Sequence, residues 1–126
     1  MGAKRTLLLA VSAPFHCALM QPAAEALRER LGYIPLATPA IPVVNNIDVA
    51  APLDADAIRD ALYRQAFGPV RWVEVVQALR ARGVSHIVEC GPGKVLAGMV
   101  KRIDADAVSG AVFDPASLRD TLGLLA

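Results

Sequence analysis

The chain has 126 residues, with 13 lysines and arginines against 12 aspartates and glutamates. Charges that nearly cancel exclude a dedicated nucleic-acid surface, which needs a basic excess, and no apolar run approaches the ~20 residues of a membrane span. Hydrophobic residues make up 55% and charged residues 20%, oily for a free-standing soluble domain, whose apolar share is roughly 45–50%. Two readings of that excess stand side by side: an Ala- and Val-rich composition, or a face buried against something else.

Thr6–Val11 is a continuous apolar run with β-branched ends, the pattern of a buried strand. Met20, Ala23, Ala24, Leu27 and Leu31 then recur at helical spacing, with Pro22 in the first turn and Gly32 at the C-terminus. Ala37–Ile41 is proline-punctuated loop, and Pro42–Asn46 reads as a short strand ending in polar turn residues. Asp54 is an N-cap for a helix to about Gln65, with Ile58, Ala61 and Leu62 inward. Gly68-Pro69 breaks it. A helix over Val70–Arg82, with Val73, Val76 and Leu79 on one side, ends at Gly83. His86–Cys90 is the next strand, and Gly91-Pro92-Gly93 turns into a helix over Lys94–Ile103. Ala107–Phe113 is a last strand, and Asp114 caps a terminal helix over Pro115–Leu125. Strands separated by helices predict an α/β fold with a mostly parallel sheet and flanking helices.

Cys17 and Cys90 form no CxxC pair, so neither a metal site nor a disulfide framework is expected, and free thiols in a reducing cytosol are the default. Met1–Thr6 imitates a myristoylation pattern that is too permissive to use. Lys4-Arg5 and the apolar run after it imitate a signal peptide, but the run is shorter than the ~7–15 residues needed. Gly91-Pro92-Gly93-Lys94 lacks the length and the Ser or Thr of a nucleotide loop. Tight strand-to-helix packing explains it better. Trp72, Met20 and Met99 read as core, and His86 as structural. Lys94, Lys101 and Arg102 fit either a solvated helix face or a patch for an acidic carrier.

The residue that carries chemistry is His16, within Val11-Ser12-Ala13-Pro14-Phe15-His16-Cys17-Ala18-Leu19-Met20. Acyl transfer through a serine needs a base within reach of the hydroxyl, and an imidazole pKa of ~6.5 suits that work. This segment resembles the histidine motif of malonyl-CoA:acyl carrier protein transacylases. Pro42-Val43-Val44-Asn45-Asn46 resembles that family's following strand, Gln65 with Gly68-Pro69-Val70-Arg71-Trp72 its next block, and Glu89-Cys90-Gly91-Pro92-Gly93-Lys94-Val95-Leu96 its late glycine turn. Together the blocks cover nearly the whole chain, in order, yet match only the C-terminal part of that enzyme.

The resemblance implies that residues 1–126 are a single, incomplete domain, the C-terminal part of an α/β-hydrolase-like acyltransferase core. It implies that His16 is the base, oriented by the Gln65 backbone carbonyl instead of the usual carboxylate. It implies that Phe15, before the base, touches substrate and favours malonyl over branched groups. The substrates would be malonyl-CoA and the thiol of acyl carrier protein in cytoplasmic fatty-acid synthesis. No cofactor beyond the coenzyme A thioester is expected. Ser12, Ser85, Ser109 and Ser117 all lack the glycine-flanked elbow of a nucleophile, and the family's arginine and glutamine loop are missing too. The chain alone is therefore expected to be inactive, needing an N-terminal segment or partner chain. Two alternatives remain: a non-catalytic partner-binding remnant, and a fragment of a polyketide synthase acyltransferase domain.

Overall fold

The computed structural model describes Thr6, Leu8 and residues 11–125, and the chain divides into two compact units, Met1–Val70 and Arg71–Ala126. The strand expected over Thr6–Val11 falls largely on residues outside those described.

In the first unit a short 3₁₀ turn, Ala18–Met20, leads into helix α1, Gln21–Gly32, and a long connection reaches α2, Ala55–Gln65. Pro22 sits in the first turn of α1, where its missing N–H costs nothing. Asp54 caps α2 as its spacing predicts, its carboxylate accepting from the Ala57 amide at 2.8 Å. The two helices pack through Ala24, Leu31 and Ala61, all buried. Small side chains let the backbones approach, and polar ties complete the contact. Arg59 donates to the carbonyls of Leu31 (3.1 Å) and Ile34 (2.9 Å), tying α2 to the end of α1 and the residues just past it. Tyr63 donates its hydroxyl proton to Glu25 at 2.6 Å, and Arg28 lies over its ring. That bond pushes the Tyr63 phenol up from its ordinary value.

Pro42–Asn46 is not a strand. Pro42 has no N–H to give a ladder, and the side-chain oxygen and backbone amide of Asn45 are committed to a turn. Asn45 Oδ1 accepts from the amides of Ile47 (3.2 Å) and Asp48 (2.7 Å), and its own N–H donates to Ala50 at 2.9 Å.

In the second unit, α3 is Trp72–Ala81, β1 His86–Cys90, α4 Val95–Ile103, β2 Val108–Val112 and α5 Pro115–Leu124. β1 and β2 pair in parallel, in register from His86 opposite Val108 to Cys90 opposite Val112, with α4 as the crossover. Val76, Val100 and Ala107 form the buried core, with Trp72, Ile87 and Ile103 packed against it. Val75 is buried in α3, whereas Val73, expected inward, is 51% exposed. Thr121 of α5 is buried, and its hydroxyl donates to the Ala111 carbonyl at 3.2 Å. Asp114 and Ser117 form a reciprocal capping box at the start of α5. The architecture is thus α/β, with two parallel strands among the described residues. No helix among them is long and apolar enough to cross a membrane.

Arg80 joins α3 to the end of α4, its Nε donating to Asp104 at 2.6 Å and its Nη1 to the Val84 carbonyl at 2.7 Å. The guanidinium bond, helped by the Asp106 amide, holds the Asp104 carboxyl below the usual carboxylate range. A carboxyl with a depressed folded-state pKa stabilises the fold above its unfolded value of about 3.9. That contribution disappears as pH falls through the lower folded value. Asp104→Asn should therefore flatten the acid limb of stability, read as urea midpoints from about pH 6 to about pH 2. An acid limb equally steep in the variant would show that this pair is not responsible.

Candidate functional site

The end of α2 is where the chemistry gathers. A terminating helix leaves its last carbonyls without intrahelical donors, and here each is met differently. The Tyr63 carbonyl accepts from the Ala66 amide at 3.3 Å, and the Arg64 carbonyl from the Gly68 amide at 2.9 Å. The Gln65 carbonyl lies 3.1 Å from Nδ1 of His16, across 49 residues of sequence. A carbonyl oxygen can only accept, so this bond requires a proton on Nδ1. In the neutral ring the lone pair then belongs to Nε2. That is the form a general base needs.

His16 is exposed and its backbone is left-handed, with φ of 57°. Histidine tolerates this region better than most side chains, though it still stores strain of about 1–3 kcal/mol. Its neighbours hold the bend: the Cys17 thiol donates to the Pro14 carbonyl at 3.1 Å, and the Met20 amide to the Cys17 carbonyl at 3.0 Å. The ring therefore leaves a tight turn immediately before a helix. Phe15, beside it, is 64% exposed.

Gln65 acts at both ends of its residue. While its carbonyl meets His16, its side-chain Oε1 accepts from the Asn46 amide at 2.9 Å. Arg64 reinforces the same junction, gripping Asp48 with two bonds of 2.7 Å and Asp60 with one of 2.7 Å. These carboxylates push the already basic guanidinium further up. Val49, in the loop so held, has a left-handed φ of 59°, an outlier for a β-branched residue. Asp48 and Arg64 were not singled out from sequence, whereas Asn45 and Asn46 were read as turn residues, since such pairs favour turns over strands.

Other candidates fall away. The carboxylate of Glu89 already accepts from the Ala97 amide at 2.9 Å, so the start of α4 after the glycine turn faces a fixed negative charge. Gly93 supplies the positive φ, 131°, that this turn requires. Ser85 bonds the neighbouring His86 ring at 2.8 Å, Ser109 donates to the Ala97 carbonyl at 3.1 Å, and Ser117 caps α5. Among the described residues no group of three or more His, Cys, Asp or Glu is placed to hold a metal ion.

No family model matches the chain. Over 121 residues, 96% of the chain, it is 51% identical to the malonyl CoA-acyl carrier protein transacylase of Salmonella typhimurium, spanning 39% of that protein. The crystal structure of acyl-carrier-protein S-malonyltransferase from Burkholderia pseudomallei 1710b matches at 60% identity and a TM-score of 0.89, covering 97% of this chain and 40% of that one. A malonyl-transacylase solved in complex with its type II PKS acyl-carrier protein matches at 50% identity and a TM-score of 0.91, covering 98% and 40%. The chain thus spans about 40% of the length of the curated relatives it matches.

Gly68 lets the end of α2 close against the loop that carries Asn46. A Cβ there would collide with Ile47 Cδ1 and stand 2.9 Å from the Arg64 carbonyl oxygen, which is backbone and cannot swing aside. Gly68→Ala should cost about 1–3 kcal/mol of stability, as over-packing does, read as a lower urea midpoint. An unchanged midpoint would mean this contact is not tight.

Proposed function

We propose, for a chain that belongs to the malonyl CoA-acyl carrier protein transacylases, that it carries the proton-handling part of a malonyl transfer. The observation that supports this most directly is the bond between His16 Nδ1 and the Gln65 carbonyl, 3.1 Å long. It fixes which nitrogen is basic and which way the ring is turned.

The reaction then runs in two balanced halves. Nε2 of His16 takes the proton from a serine hydroxyl as its oxygen bonds the thioester carbonyl of malonyl-CoA. The tetrahedral adduct collapses, the carbon–sulfur bond breaks, and the imidazolium returns the proton to the departing coenzyme A thiolate. In the second half the phosphopantetheine thiol of acyl carrier protein gives its proton to Nε2 and attacks the serine ester. The serine leaves and recovers the proton. The charge on the ring, transient in each half, is stabilised by the carbonyl it faces, the place an aspartate holds in a three-residue triad.

The serine and the oxyanion donors belong, on this reading, to polypeptide beyond these residues, joined to the chain or supplied as a partner. An α/β-hydrolase-like core completed in that way also accounts for the many apolar side chains left open, including Leu19 and Ile41, 74% and 77% exposed. Phe15 stands beside the base and would crowd a branched acyl group. Lys101 and Arg102 in the last turn of α4 offer positive charge to an acidic carrier. Cytoplasmic fatty-acid synthesis is the setting that fits these substrates.

Two kinetic outcomes are expected once the missing region is supplied. His16→Ala should lower turnover by about 10²- to 10⁴-fold, the usual worth of a general base, in a malonyl transfer assay with free acyl carrier protein. Turnover within twofold of the parent would end this reading. Phe15→Ala should raise methylmalonyl transfer relative to malonyl transfer, and an unaltered ratio would remove Phe15 from the selectivity argument.

A further inference from the structure

The Gln65 carbonyl is open to the ring for a reason written four residues later. Hydrogen bonding of helical type continues past the last residue of α2, since the Gly68 amide still donates to Arg64 at 2.9 Å. The next rung would run from residue 69 to the Gln65 carbonyl. Residue 69 is proline, which has no N–H. The donor one residue nearer is engaged elsewhere, since the Gly68 amide goes to Arg64. The carbonyl is also aimed. The Gln65 side chain is tied to the Asn46 amide at 2.9 Å, and Arg64 is locked to Asp48 and Asp60, so the last turn of α2 has little freedom to rotate.

We infer that Pro69 is a positioning residue: by withholding the amide proton that would close the next rung, it reserves the Gln65 carbonyl for Nδ1 of His16. This deepens the reading of His16 as the base and rests on that reading for its catalytic meaning. Pro69 touches no reacting atom. It acts by leaving an acceptor unsatisfied within the helix, where a buried or half-buried carbonyl must find another donor. The ring is that donor.

The test is the tautomer of His16, read from the ¹⁵N shifts of its ring in the full chain at a pH well above the ordinary imidazole value of about 6.5. His86, in the other unit, serves as internal reference. The parent chain should hold the Nδ1–H form of His16. Pro69→Ala restores the amide donor and should lower the ratio of Nδ1–H to Nε2–H by about two- to tenfold, the range one competing hydrogen bond commands. A chain with N-methylalanine at position 69, assembled by ligation at Cys17 and Cys90, lacks both the proline ring and the N–H. It should keep the parent ratio.

An unchanged ratio in Pro69→Ala overturns the inference. So does equal loss of the Nδ1–H form in the N-methylalanine chain, which would assign the effect to ring rigidity. Should Pro69→Ala fail to fold, the N-methylalanine chain decides alone: a retained ratio supports the inference and a lost one overturns it. Failure of the functional reading shows separately, as His16→Ala retaining turnover. A parent ring found in the Nε2–H form would overturn both.

Discussion

One hydrogen bond at the end of a helix organises the first unit. Helix α2 must stop, and stopping leaves carbonyl groups that need donors. The Gln65 carbonyl receives its donor from a side chain 49 residues earlier in the chain. That contact joins the turn carrying His16 to the helix, and the same residue's side-chain oxygen, accepting from the Asn46 amide, joins the helix to that loop. Three pieces of chain with little regular structure between them are thus held by one glutamine. The left-handed backbone at His16 and at Val49 is tolerated because these ties over-determine it.

Much of the helical framework was legible in the sequence. Asp54 and Asp114 announced their helices because capping is local chemistry, needing only a short polar side chain before a periodic run. The paired strands were legible for the same reason, as apolar runs between turn residues. Pro42–Asn46 was misread because its valines carry a strong strand signal. What decided the outcome lay elsewhere, in the Asn46 amide bonding a glutamine 19 residues away. Val75 is buried where Val73 was expected, because both flank Val76 on the helix and helical period alone does not say which flank meets a neighbouring element. At the site, His16, Gln65 and Phe15 were singled out through resemblance to a family. The Arg64–Asp48 grip had no local signature at all, since an arginine and an aspartate 16 residues apart show nothing in sequence.

The second unit shows how a motif with the look of a ligand site can be structural. A glycine turn opening a helix exposes amides that would welcome an anion. Glu89 brings its own carboxylate to that position from the neighbouring strand. The turn then serves to reverse the chain closely, and Gly93 provides the conformation. A parallel pair with a crossover helix needs such tight corners, because strand and helix must pack within a few residues of each other.

The left-handed backbone at residue 16 asks two things of a single codon. One is an imidazole, and the other is a main chain willing to bend the uncommon way, a trait that glycine, asparagine and aspartate share. Newcomers at this site are therefore sorted by shape before chemistry. Asparagine inherits the bend and forfeits the proton acceptor, whereas valine or isoleucine would unseat the corner itself. On the proposed reading of His16 as a base, inactivity of the first kind reports on the lost ring, its proton acceptor and its tie to Gln65 together, and inactivity of the second kind on architecture.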